Sequence, residues 1–475
     1  MRPRTDQGAR GAQGVARTRR RALRGPGRYD RPSQSYIMQG ERSLPSGRQP
    51  ASIPAPRARS HRRTFRMPTA ASKSTKAAEP LPARVATPTR RLTDLPTYVF
   101  AWLDELKAAA RARGRVLIDL GIGSPDQPPP PVVVEAMVDA LRSPASTGYP
   151  PFRGTERFLG AVSGFMRRRF GVEVSPAREA LCLSGAKEGI AHLAMAFVDA
   201  DAVALVPDIT YPVHGRAPRL AGGVTHALPL RAERGFLPDL GAVPEAVLRR
   251  ARLLVLNYPH NPTGATATRE LYEEAVALCR RHGIVLISDL AYSEITFDGY
   301  VAPSVLEIAG AHDVAVEFHS LSKSFSLAGA RLGFAVGNAA LIEHLYAVRT
   351  NMGYGTPAAV QEGGAVALER AAELTPPVAA RYASRRDVVV AGFRSLGWDA
   401  APARGTMFVW LRVPAGFTSQ AWAEHLIDAA GVVVTPGNAF GPGGEGYFRV
   451  SLVAGEETLA AAVERLRGAG VRFRG

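Results

Sequence analysis

Three apolar runs in the middle of this 475-residue chain are each followed at once by side chains able to do chemistry. Leu253–Leu256 leads into NYPHNPTG (257–264), Ile284–Ser288 into DLAYSEI (289–295), and Val314–Phe318 into HSLSKSFSLAGARLGF (319–334). An amide at Asn261, a carboxylate at Asp289 with a phenol at Tyr292, and an amine at Lys323 therefore occupy comparable positions. The amine says most. The chain has five lysines, and two of them, Lys73 and Lys76, lie in the N-terminal stretch, which leaves Lys107, Lys187 and Lys323. Arginine supplies positive charge almost everywhere else. A retained lysine can lose its proton and attack a carbonyl, which a guanidinium cannot do. Lys107 falls on the charged side of an amphipathic helix and reads as solvated surface. Lys323 lies among Ser320, Ser322 and Ser324, eight residues before Arg331, a setting suited to a phosphorylated aldehyde.

A second wall for an anion stands upstream. LSGAKEGIAHLAMAF (183–197) passes from a strand end through Ser-Gly-Ala into an amphipathic helix, whose first free N–H groups and dipole favour a phosphate. Asp289, directly after an apolar strand, needs a partner, and a protonated pyridine nitrogen would supply one. Tyr292 and Asn261 can both hydrogen-bond a ring hydroxyl. Each residue also has an ordinary reading: Asp289 as a helix cap, Tyr292 as core, Asn261-Pro262 as a turn, and the serines as a polar loop capping a helix. Their recurrence at successive strand ends favours chemistry.

The elements that must hold these residues alternate. Helical patterns cover 155–170, 187–198, 269–282, 341–349 and 358–370. Val203–Val206, the three runs above and Gly333–Val336 read as buried parallel strands. This is the pattern of a doubly wound α/β sheet, whose ligands sit at the carboxyl ends of the strands. Tyr98, Phe100, Leu103 and Leu106 give an earlier helix its apolar stripe.

Composition sets the outer bounds. Hydrophobic residues make up 46% of the chain, enough for large cores, and two cysteines exclude a disulfide scaffold or a four-cysteine zinc site; no metal is expected at the site. The net charge of +17 is misleading. Residues 1–95 hold 22 Lys and Arg against 5 Asp and Glu, so that stretch alone carries +17 and the rest is neutral. Arg-, Pro- and Ser-rich, with no apolar period, the first 88 residues read as a disordered basic extension. A transit segment and a non-specific nucleic-acid arm are the alternatives, and Met38 and Met67 are alternative starts. The remainder reads as a compact cytoplasmic protein.

These motifs resemble the fold-type-I, pyridoxal-phosphate-dependent aminotransferases of class I/II: NPTG at 261–264, D-x-A-Y at 289–292, and S-x-S-K at 320–323 with Arg331 beyond. The resemblance spans about residues 92–472. Longer stretches, such as SGAKEGIAHLAMAFV, LNYPHNPTGA and DLAYSEITFDGY, are most similar to the LL-diaminopimelate aminotransferase-like branch. It implies a large domain with a mostly parallel seven-stranded sheet, and a smaller α+β domain built from both ends of the ordered chain. The expected parts are an arm and part of the small domain over 89–140, the large domain over 141–365, and the rest of the small domain over 366–475. Pyridoxal 5'-phosphate is the implied cofactor, joined covalently to Lys323, with Asp289 on the pyridine nitrogen and Asn261 and Tyr292 on the ring hydroxyl. Ser320, Ser322, Arg331 and the Ala186 and Lys187 amides would hold the phosphate, and Tyr211 would stack on the ring. Arg449, in YFRVSLV, would grip the substrate α-carboxylate by a two-pronged bridge. Gly123 belongs to the loop over the substrate, and Tyr98 matches the small-domain tyrosine. Tyr149 would reach the phosphate of a neighbouring subunit, which implies a homodimer. Tyr354 stands where that branch often has Asn or Ser, on a loop shaping the side-chain pocket.

The expected reaction moves an amino group between an L-amino acid, with glutamate as donor, and a 2-oxo acid. Aromatic, alanine-type and methionine-type substrates stay open beside diaminopimelate, as does a lyase or decarboxylase on the same fold. An aminotransferase-like transcriptional regulator would need a winged helix that residues 1–85 lack the periodicity to build.

Overall fold

The computed structural model describes residues 86–96 and 98–473. The basic extension expected over 1–88 lies outside the described residues, save for its last three. The strands are β1 (Ile118–Asp119), β2 (Ala180–Leu183), β3 (Val203–Pro207), β4 (Val224–Leu228), β5 (Ala251–Leu256), β6 (Val285–Asp289), β7 (Ala315–Ser320), β8 (Gly333–Gly337), β9 (Phe408–Arg412), β10 (Val432–Val433), β11 (Thr435–Pro436) and β12 (Tyr447–Ser451).

Seven of these form one sheet in the order β2-β8-β7-β6-β5-β3-β4. Successive side chains of a strand face opposite sides, so a strand covered on both faces must be apolar throughout. Here Leu254, Leu256 and Leu286 pack into one helical layer with Phe158, Leu271 and Leu368. Leu253, Val255 and Ile287 pack into the other with Ile190, Val213 and Leu345. The helices themselves have ordinary local causes. Glu156–Phe170 begins where Thr155 Oγ1 accepts the Phe158 N–H, and ends at Gly171 with φ +68°.

One expectation is corrected by the register. β8 is antiparallel to both β2 and β7, with Gly333 opposite Leu183 on one side and Ser320 on the other. Its beginning, not its end, therefore lies beside the carboxyl ends of β2 and β7, which is where Arg331 enters. β6 and β7 also run one or two residues further than their apolar stretches, so that Asp289 and Ser320 are the last residues of strands.

The second layer joins both ends of the described chain. β1 pairs with β10 in parallel, and β9, β11 and β12 form an antiparallel sheet with β12 in the centre. Its core packs Leu120 with Phe393, Trp398, Trp422 and Phe448. Helix Pro131–Arg142, which spans the boundary expected at 140, places Val133 in the core of the large sheet instead. Among the described residues no helix is long and apolar enough to cross a membrane.

Lys107 is a second correction. Helix Val99–Ala112 buries Leu103, Lys107 and Ala110, so the lysine stands on the inward stripe, four residues from Leu103. It is only 4% exposed, and Nζ lies 2.6 Å from Asp104 Oδ1 and 3.0 Å from Asp119 Oδ2. Asp119 in turn accepts the Gly121 N–H at 2.9 Å, at the start of the loop that carries Gly123. Burial works against the charged amine, but the two carboxylates together outweigh it and hold the pKa above the ordinary lysine value. Replacing Lys107 with Met should lower the midpoint of thermal unfolding by about 2–4 °C, the shift for a loss of about 1 kcal/mol. An unchanged melting curve would show that the ion pair contributes nothing.

Candidate active site

The carboxyl ends of β2, β5, β6 and β7 and the entry to β8 surround a cavity of about 390 Å³, roofed by β9, β12 and the loop after β1. Of the site residues expected above, Tyr98, Gly123, Ala186, Lys187, Tyr211, Asn261, Asp289, Tyr292, Ser320, Ser322, Lys323, Arg331 and Arg449 line it. Tyr149 and Tyr354 do not. Their rings stack on each other at 4.2 Å between centroids and lie largely exposed, away from the cavity.

Lys323 sits in a single helical turn, Leu321–Ser324, capped by Ser320 Oγ accepting the Ser322 N–H at 3.2 Å. Among the described residues the Ser320 hydroxyl proton has no acceptor. Lys323 Nζ donates to the Gly123 carbonyl at 2.6 Å. Burial, with Arg449 and Arg331 as neighbouring cations, lowers its pKa to about 8. Gly123 must be small: a Cβ there would come 2.7 Å from the Phe408 ring.

Asp289 is held from behind. His214 Nε2 lies 2.9 Å from Asp289 Oδ2, and since a carboxylate only accepts, that nitrogen carries the proton. The other ring nitrogen meets Thr210 Oγ1 at 2.6 Å. Asn257 Nδ2 donates to the Asp289 carbonyl at 2.7 Å. The outer oxygen, Oδ1, is buried and has no hydrogen-bond partner among the described residues. An ionised carboxylate left so is costly unless a donor comes to it.

Arg449, on β12, is 3% exposed. Nη1 donates to Asn261 Oδ1 at 3.0 Å and Nη2 to the Gly121 carbonyl at 2.7 Å. The Phe408 and Phe440 rings lie 4.1 and 4.7 Å from its guanidinium carbon. Among the described residues it has no ion pair, its Nε has no acceptor, and burial lowers its pKa to about 10. It is a cation prepared for an anion.

At the other end, Gly185 with φ +92° turns the chain into helix Ala186–Phe197. A Cβ there would stand 2.6 Å from Arg331 Nη2, which donates to the Ser184 carbonyl at 3.2 Å. Among the described residues the Ala186 and Lys187 N–H groups at the start of that helix have no carbonyl partner, whereas the Glu188 N–H bonds the Gly185 carbonyl at 3.2 Å. Lys187 is held below the ordinary lysine value by burial, then by Arg216 and Arg331. Tyr292 is buried, and burial keeps its phenol protonated as a donor.

Sequence reasoning missed three residues of this site. His214 stands three residues after Tyr211, at the start of helix Pro212–Leu220, and nothing in the order of residues connects it to Asp289. Asn257 was legible as the first residue after β5. Phe408, whose ring meets both Gly123 and Arg449, lies in a strand of the other layer.

The profile of the family described as aminotransferase class I and II matches residues 115–466. The chain belongs to that family. It is 45% identical over 385 residues to LL-diaminopimelate aminotransferase 2 of Nostoc sp. (strain PCC 7120), covering 81% of this chain and 99% of that protein. It is also 45% identical to the LL-diaminopimelate aminotransferase of Moorella thermoacetica, covering 80% and 97%. A solved structure described as a probable N-succinyldiaminopimelate aminotransferase from Thermus thermophilus is 40% identical, with a TM-score of 0.74 over 78% of this chain and all of that one. The protein is thus an aminotransferase of fold type I, a class dependent on pyridoxal phosphate. The residues present fit that group: the orphaned Asp289 oxygen suits a protonated ring nitrogen, the turn at Gly185 suits a phosphate, and the Lys323 amine suits an aldehyde.

The lowered pKa of Lys323 has a measurable sign. In the cofactor-free protein, acylation of Lys323 read by mass spectrometry should rise as pH passes through about 8. Lys107, whose pKa is held above the ordinary lysine value, should label only at higher pH than Lys323. Both lysines labelling in parallel would contradict this.

Proposed function

We propose that this aminotransferase exchanges the amino group of LL-diaminopimelate with a 2-oxo acid, 2-oxoglutarate and glutamate forming the other pair, using pyridoxal 5'-phosphate held at Lys323. The observation that carries the chemistry is a neutral-capable lysine amine in one cavity with a buried arginine that has no ion pair among the described residues. The substrate rests on the relatives named above, which carry that activity in their names over nearly their whole length. Tyr98, which lines the cavity, has Lys187 Nζ 5.8 Å and the Arg216 guanidinium 4.9 Å from its ring, so positive charge stands beside that wall.

When bound, the coenzyme supplies an aldehyde that condenses with amines and a ring that accepts electrons from the α-carbon. The chain does the rest. Arg449 takes the α-carboxylate on two N–H groups and fixes which end of the substrate reacts. Lys323 Nζ, neutral above about pH 8 and partly so at 7, removes the α-proton and later returns one. Asp289 Oδ1 keeps a proton on the ring nitrogen, while His214 prevents that carboxylate from turning away. Asn261 and Tyr292 would hold the ring hydroxyl and Tyr211 the ring itself, since all three line the cavity. Ser320, Ser322, Arg331 and the Ala186 and Lys187 N–H groups hold the phosphate. In this reading the enzyme is a cytoplasmic homodimer. Tyr149 of each chain would reach the neighbour's phosphate, and Tyr354, stacked on it, stands on the loop that shapes the side-chain pocket.

Lys323→Ala should abolish transamination and the borohydride-fixed coenzyme label together. Continued turnover would defeat the assignment. Glutamate formation from LL-diaminopimelate and 2-oxoglutarate should exceed that from aromatic amino acids, alanine and methionine. A preference for one of these would remove the substrate reading and leave the chemistry. Arg449→Ala should raise KM for every amino donor by about two orders of magnitude, the loss of two charge-assisted hydrogen bonds.

A further inference from the structure

We propose that Arg349 is a positioning residue for the anion cradle, balancing the charge of Glu188 so that the turn at Gly185–Lys187 can accept a phosphate. The inference rests on the reading of that turn as the phosphate site. Glu188 lies in the first turn of helix Ala186–Phe197 and folds back so that Oε2 accepts the Ser184 N–H at 2.6 Å. This bond closes the turn, but it puts a negative charge at the helix end that must attract an anion.

Arg349, from helix Ala339–Met352, supplies the opposite charge from inside the protein. Its side chain is 1% exposed, with Nε 3.8 Å from Glu188 Oε1. Nη1 donates to the Phe152 carbonyl, while Nε and Nη2 have no hydrogen-bond partner among the described residues. A guanidinium so deeply buried and so poorly bonded is costly unless a carboxylate offsets it. Glu188 is that carboxylate. His192 Nδ1 stands 3.9 Å from the same oxygen, but burial holds its imidazole below the ordinary value, so it is neutral near pH 7 and cannot take the role. Arg331, on the outer side of the turn, bonds the Ser184 carbonyl and remains available to the phosphate itself.

Arg349 also holds the segment that carries Tyr149 and Phe152, so a purely structural role must be separated from an electrostatic one. Full-length protein, stripped of coenzyme, is titrated with pyridoxal phosphate and with pyridoxal, which lacks the phosphate. The wild type is compared with Arg349→Gln, Arg349→Lys, Glu188→Gln and the double variant Glu188→Gln/Arg349→Gln. Arg349→Gln should weaken pyridoxal phosphate about tenfold or more and leave pyridoxal within about twofold, as expected for an unbalanced like charge near an anion. Arg349→Lys should keep near-wild-type affinity. Glu188→Gln, whose amide oxygen can still accept the Ser184 N–H, should bind at least as tightly as wild type and should restore affinity in the double variant. Equal weakening of both ligands, or a loss that persists in the double variant, overturns the proposal in favour of the Phe152 contact. Should Arg349→Gln not fold, a loss of pyridoxal phosphate affinity in Glu188→Gln alone also overturns it. A wild-type protein that binds pyridoxal phosphate no better than pyridoxal overturns the phosphate reading as well.

Discussion

Keeping one lysine amine able to lose its proton inside a positive cavity is the constraint from which the rest of the site follows. Burial removes the water that would stabilise an ammonium at Lys323, and Arg449 and Arg331 disfavour it further. The same two cations make the cavity receptive to anions at both ends. Between them, Asp289 presents a carboxylate oxygen that has no donor among the described residues, fixed from behind by His214. The complement of such a cavity is negative at its extremities and positive in its middle. A planar phosphorylated pyridinium joined to an amino acid has that charge order.

Topology explains how residues far apart in the chain meet there. Parallel strands deliver their carboxyl ends to one edge, which brings the ends of β5, β6 and β7 side by side. β8 runs the other way and so contributes its beginning, and Arg331 reaches the same edge as Ser184 and Ser320. The second layer closes the cavity from above. Arg449 comes from β12, and Phe408 from β9 limits the loop at Gly123 to a residue without a side chain. Lys107 secures the start of that loop through Asp119, so a charge far from the cavity helps to shape its lid.

Much of this was legible in the residues, because strand-end position and side-chain type are both local. Asn261, Asp289, Tyr292 and Lys323 follow apolar runs that only a sheet covered on both faces explains, and those runs are the strands of one sheet. Lys107 was misread for a reason of the same kind. A charged residue on a helix defaults to the surface unless its partners are known, and Asp119 lies on a separate strand.

Residue type, spacing and the period of the apolar pattern were enough to settle the α/β class and the alternation of elements and to point to the amine that lines the cavity, since each depends on neighbours a few positions away. Contacts over long separations needed the fold. The His214 bond to Asp289 spans 75 residues, the Arg449 bond to Asn261 spans 188, and the hold of Lys323 on the Gly123 carbonyl spans 200. The direction of β8, the inward side of Lys107 and the burial of Arg349 beside Glu188 belong with these. Each is decided by which surfaces pack together, and packing is a property of the whole chain rather than of any stretch of it.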